Sequence, residues 1–111
     1  MDNLPEEIAA IYQQVGGGRA MAMAFYAMVY NPDEPSATFA VAPALRRGTR
    51  DRIIKVRVRY VRGSDTYRVE FFRRDDQCVS SHDDVHAAEL RPLIERTTGL
   101  HLSMGTMGAR S

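Results

Sequence analysis

The chain has no tryptophan, a single cysteine, a single lysine and only three histidines. One thiol, Cys78, excludes an internal disulfide and fits a reducing compartment. No apolar run approaches the ~20 residues a membrane-spanning helix needs; the longest stretch, from Ala20 to Tyr30, is about half that. No basic-then-apolar leader opens the chain, so the expectation is a cytoplasmic protein with no signal peptide and no membrane contact. Also missing are the G-x-S-x-G elbow of serine hydrolases, a kinase motif set and the Gly-Lys-Ser/Thr of a phosphate loop.

What is there suits one domain. A chain of 111 residues, 44% hydrophobic and 26% charged, buries roughly two thirds of the surface its unfolded form exposes. The net charge of +1 conceals a polarised distribution. Residues 1–45 carry one arginine against five acids, a net −4. Residues 46–74 carry eleven cations against three acids, a net +8, and the remainder is −3. A basic middle between acidic ends can bind a polyanion or be neutralised by its own termini.

The apolar positions Ile8, Ile11, Tyr12 and Val15 repeat at helical spacing, with Asn3 and Glu6 placed as a capping box and Gly16 to Gly18 as the stop. In RAMAMAFYAMVY, Met21, Met23 and Phe25 alternate with alanines, which predicts a strand, although Ala and Met favour helix intrinsically. NPDEPS reads as a turn, SATFAVAP as a second strand and ALRRGTRD as a linker. In IIKVRVRYVRGSDTYRVEFFRR, Ile54, Val56, Val58 and Tyr60 alternate with Lys55, Arg57 and Arg59, then Tyr67, Val69 and Phe71 with Arg68, Glu70, Phe72 and Arg74. That is an antiparallel hairpin turning at Gly63, Ser64 and Asp65, with Gly63 or Asp65 at positive φ. DDQCVSSHDD reads as a loop. VHAAELRPLIERTTGL predicts a closing helix with His86, Leu90, Leu93, Ile94 and Thr97 on its inner stripe, Pro92 as a blemish and Gly99 as the stop. The expected fold is α+β: an antiparallel sheet of about four strands with an N-terminal and a C-terminal helix packed on one face. Residues 1–103 form the expected domain and 104–111 a flexible tail.

The opening helix ending in glycines before a Met-containing strand, Asp65-Thr66-Tyr67 with Val69, Phe71 and Phe72 in the hairpin, and Thr98-Gly99-Leu100 after the closing helix resemble a family of small uncharacterised proteins of phages and other mobile elements. The chain departs from that family at Ala24, Phe25 and Tyr26, where Thr-Gly-Ala is usual, and at His86, where an aromatic is usual. The resemblance implies a fold and a genomic setting and carries no catalytic residue.

Three further constellations lack the parts their chemistry needs. The triple glycine follows a helix and precedes an expected strand, the wrong order for phosphate cradling, so it reads as a helix stop. His82 and His86 stand at ligand spacing, but His101 is the only further histidine, and Asp83 or Asp84 reads as a helix cap. Cys78 with His82 lacks the rest of a nucleophilic site. The expectations are accordingly no enzyme activity, no catalytic residue, no metal and no cofactor. The basic hairpin is the candidate: Arg47, Arg50, Arg52, Lys55, Arg57, Arg59, Arg68 and Arg74 to meet phosphates, and Phe72 to stack on a base. A protein partner, as for an inhibitor or assembly factor acting on a host defence complex, is the second reading. Self-association through the apolar residues of the first two strands is the third. Against a binding role for the basic hairpin stands a merely solvated Arg-Glu face, which Glu70 favours.

Overall fold

A computed structural model describes residues 4–102. Asn3 and the expected tail 104–111 lie outside the described residues. The elements run α1 (Glu6–Val15), α2 (Gly17–Met23), β1 (Phe25–Asn31), β2 (Ser36–Val41), β3 (Lys55–Val61), β4 (Thr66–Arg73), β5 (Gln77–Val85) and α3 (Ala87–Thr98). Short 3-10 turns fill Pro43–Gly48, Arg50–Arg52 and Arg74–Asp76. The five strands form one antiparallel meander in the order β1-β2-β3-β4-β5, each neighbour in sequence being a neighbour in the sheet.

Alternation in the hairpin sets the two faces. Val56, Val58, Val69 and Phe71 are fully buried and join Phe39, Ile8, Ile11, Val15, Leu90 and Ile94 in one core cluster. Pleating places Lys55, Arg57, Arg59, Arg68, Glu70 and Phe72 on the opposite face. A tilted contact between the rings of Phe25 and Phe39, with centroids 5.3 Å apart, closes the core at the β1 end.

Several sequence-based expectations are corrected. Residues 17–23 are a helix, so the intrinsic preference of Ala and Met prevails over the alternating pattern, and the strand starts only at Phe25. The polar segment 77–85 is a fifth strand, exposed along most of its length; an edge strand needs few apolar residues, and register shifts beside it accommodate the irregular pattern. His86, rather than Asp83 or Asp84, occupies the N-cap of α3, where its backbone N–H donates to Glu89 Oε1 at 3.0 Å; it is exposed and off the inner stripe. Pro5 occupies the N-cap position of α1. Within α3, Thr98 rather than Thr97 is buried, donating to the Ile94 carbonyl at 2.6 Å, and the helix continues through Pro92. At the hairpin turn, Asp65 is the residue in the left-handed region, at φ 56°.

A bidentate pair joins α1 to that turn: Arg62 Nε and Nη2 each donate to the Glu7 carboxylate at 2.9 Å. The hydrogen bond and the charge of Arg62 hold the Glu7 carboxyl below the usual carboxylate range. Because the folded value is the lower one, the latch contributes above the unfolded carboxylate pKa and is lost as pH falls through the folded value.

The α1–α2 junction depends on Gly16, at φ 134°, where an added Cβ would lie 2.9 Å from Ala20 Cβ and 3.3 Å from the Leu102 carbonyl oxygen. Gly63 has open space around its Cα and no left-handed requirement. Gly16→Ala is expected to cost roughly 1–3 kcal/mol in urea unfolding, whereas Gly63→Ala stays within about 1 kcal/mol of the parent. Equal effects at the two positions would show that the Gly16 corner is unstrained.

Candidate polyanion-binding site

The open face of the sheet is less positive than its sequence suggests. Arg57 Nε donates to Glu70 Oε1 at 2.8 Å, directly across the β3–β4 pair. Arg68 Nη1 lies 2.6 Å from Asp83 Oδ1 on β5, and Arg68 Nε 3.6 Å from Glu70 Oε2. Lys55 pairs with Asp76. Glu70 is 12% exposed against 37% for Arg57 and 33% for Arg68, so its carboxylate sits under two guanidinium groups. Phe72 lies beneath the same layer, its ring centroid 5.1 Å from the Arg57 guanidinium carbon and 5.8 Å from Lys55 Nζ. Among the charged candidates on this face, only Arg59 makes no ion pair with a described residue. It stands opposite Arg68, and its Nε is buried with no hydrogen-bond partner.

Uncompensated charge collects instead at the end of the sheet away from the hairpin turn. A cleft of about 760 Å³ is lined by Arg46, Arg47, Arg52, Arg73 and Arg74, with Ile54, Asp75 and Gln77. Antiparallel register explains the convergence: Lys55 pairs with Phe72, so the residues just before β3 lie beside those that end β4. Arg46 is held by neutral groups, donating from Nε to the Val41 carbonyl at 3.1 Å and lying over the Tyr26 ring at 5.7 Å. Arg73 Nε donates to Gln77 Oε1 at 2.9 Å. Arg47, Arg52 and Arg74 are exposed and make no ion pair with a described residue.

Two corners hold these arginines. Asp51 and Arg52 have φ of 53° and 58°; Asp75 and Asp76 have φ of 61° and 56°. Of the six described residues other than glycine at positive φ, four thus adjoin the cleft, a conformation costly for arginine in particular and one that gathers at functional sites.

Of the sequence-derived candidates, Arg47, Arg52 and Arg74 are brought together in the cleft. Lys55, Arg57, Arg59, Arg68 and Phe72 share the open face. Arg50 lies apart, its side chain against Gly99. Sequence reasoning missed Arg46 and Arg73 as members of the site. The signal was available: the Arg46-Arg47 and Arg73-Arg74 pairs flank the hairpin, and its symmetry folds them toward one end. His82 and His86 do not converge, since His82 meets Phe71 edge-on at 5.8 Å while His86 caps α3. No cluster of three metal-ligating side chains occurs among the described residues, and no described helix is long and apolar enough to cross a membrane.

In comparisons with known proteins, no family model, curated protein or solved structure matches the chain.

The Arg57–Glu70 pair is half-screened by solvent, which limits its coupling to the exposed-pair range of about 1 kcal/mol or less. A double-mutant cycle with Arg57→Gln and Glu70→Gln is expected to return a positive coupling of that size, falling with added salt. A coupling of zero at low salt would mean that the face is not electrostatically closed.

Proposed function

We propose that the protein binds nucleic acid, as a non-enzymatic, cytoplasmic accessory factor of a phage or other mobile element. The observation that supports this reading is the convergence of Arg46, Arg47, Arg52, Arg73 and Arg74 on one cleft against a single acid, Asp75. Guanidinium groups suit phosphate because their planar fork matches its oxygens, and this chain uses arginine almost to the exclusion of lysine. Arg59 extends the surface toward the open face, while Phe72 lies under Arg57 and Lys55, so stacking of an unpaired base on its ring belongs to high occupancy, after the cleft is filled. The mobile-element setting is supported by the sequence motifs alone.

A second reading, self-association, is favoured by the edge strand β1. It carries no charged residue and exposes Tyr26 (59%), Val29 (71%) and Tyr30 (42%) beside an unpaired backbone edge. Sedimentation velocity at high concentration that returns only monomer would remove it.

The nucleic-acid reading is tested with a fluorescent single-stranded oligonucleotide bearing a 5′-hydroxyl. Engagement of five arginines predicts a salt slope of roughly −3.5, which is roughly a 100-fold loss of affinity between 50 and 200 mM salt. Reversal at Arg47→Glu with Arg74→Glu should weaken binding at least about tenfold at 50 mM salt. Affinity that is flat with salt, or unchanged by the double reversal, would refute the reading.

A further inference from the structure

We infer that the arginine cleft is a pocket for a polyphosphate group, either that of a free nucleoside triphosphate or that at the 5′-triphosphorylated end of a strand. The inference rests on the same basic cleft as the nucleic-acid reading but asks more of it, because each internal phosphodiester brings only one charge to a concavity that can take several. A phosphodiester presents one negative charge and its neighbours lie along an extended chain, whereas here five guanidinium groups and one carboxylate line a single concavity, a net of four positive charges. A triphosphate chain concentrates roughly four negative charges in a compact volume at pH 7, since a terminal phosphate adds a second ionisation to the single charge of each inner group. The space also fits: about 760 Å³ lies within the range of roughly 300–1,000 Å³ typical of pockets that hold nucleotide-sized ligands.

The lining is divided in a way that suits such a ligand. Arg46 and Arg73 are fixed by neutral acceptors, the Val41 carbonyl and Gln77, so their charge is oriented without being cancelled. Arg47, Arg52 and Arg74 make no ion pair with a described residue, so an entering anion breaks none of the described salt bridges. Backbone corners at Asp51-Arg52 and Asp75-Asp76 present arginines from both sides of the cleft, and both corners stand in the left-handed region. Structure that holds like charges together at a conformational cost is best explained by a ligand of opposite charge.

Calorimetric titration with inorganic tripolyphosphate, and with sulfate as a simple divalent control, tests the site directly. Tripolyphosphate is expected to bind at least about tenfold more tightly than sulfate. Arg52→Gln with Arg74→Gln should remove that margin, and Arg47→Gln alone, at an exposed loop position, should reduce it about threefold. Arg19→Gln with Arg91→Gln, which lose the same charge outside the cleft, should leave it unchanged. Two arms then separate the sources. A 5′-triphosphorylated RNA binding about tenfold more tightly than its 5′-hydroxyl counterpart assigns the pocket to strand ends; a free nucleoside triphosphate that binds while the two RNAs do not differ assigns it to the nucleotide. Tripolyphosphate no tighter than sulfate, or cleft and control variants weakened alike, overturns the inference. Tripolyphosphate binding with no affinity for the 5′-hydroxyl strand would uphold the pocket while rejecting general nucleic-acid binding.

Discussion

The Glu70 carboxylate, set between Arg57 and Arg68 on the open face of the sheet, decides where the positive charge of this protein is free to act. Without it, the face would present Lys55, Arg57, Arg59 and Arg68 as one basic field. With it, and with Asp83 and Asp76 supplied by β5 and the corner before it, most of that field is closed into short-range pairs. Like charges directly opposed across strands destabilise a sheet, as Arg59 and Arg68 would here, and a carboxylate between neighbouring guanidinium groups relieves the repulsion. The compensation is spent on folding the face, and the arginines it does not reach are those beyond the strand ends.

This explains how the fold and the cleft are connected. The hairpin pairs from Val61 with Thr66 at the turn to Lys55 with Phe72 at its open end, which brings the flanking segments together whatever their own preferences. A meander with short connections leaves those segments little length, so the chain reverses through residues at positive φ. Aspartate tolerates that conformation better than most residues, its short side chain being able to bond the local backbone. The arginines beside the aspartates are then displayed outward, with no described acid close enough to claim them. Packing of α1 and α3 on the other face, through Ile8, Ile11, Leu90 and Ile94, backs the hairpin with the core.

The central hairpin and the closing helix were legible because their apolar periods are strict: Val56, Val58, Val69 and Phe71 at period two, and Leu90, Leu93 and Ile94 at helical spacing. The helix at Gly17–Met23 was not, because the alternation of methionine and alanine satisfies a strand pattern while both residues prefer helix. The strand at Gln77–Val85 was hidden for a different reason. Its partner β4 supplies the hydrogen bonds and most of the burial, so its own composition is free to look like a loop. The candidate site was half legible. Composition marks the arginines, but which of them are neutralised depends on pairs with Glu70, Asp76 and Asp83, two of which lie in or beside β5, the strand whose composition resembles a loop.

The central claim is that uncompensated charge at the sheet end, and not the paired face, receives a polyanion. Titration of a short single-stranded oligonucleotide followed through the arginine Nε–H resonances reads each guanidinium separately. The expected result is early, saturable movement of the Arg47, Arg52 and Arg74 signals, with Arg57 and Arg68 unmoved until high occupancy. Movement of Arg57 and Arg68 first, with the cleft arginines silent, would contradict it.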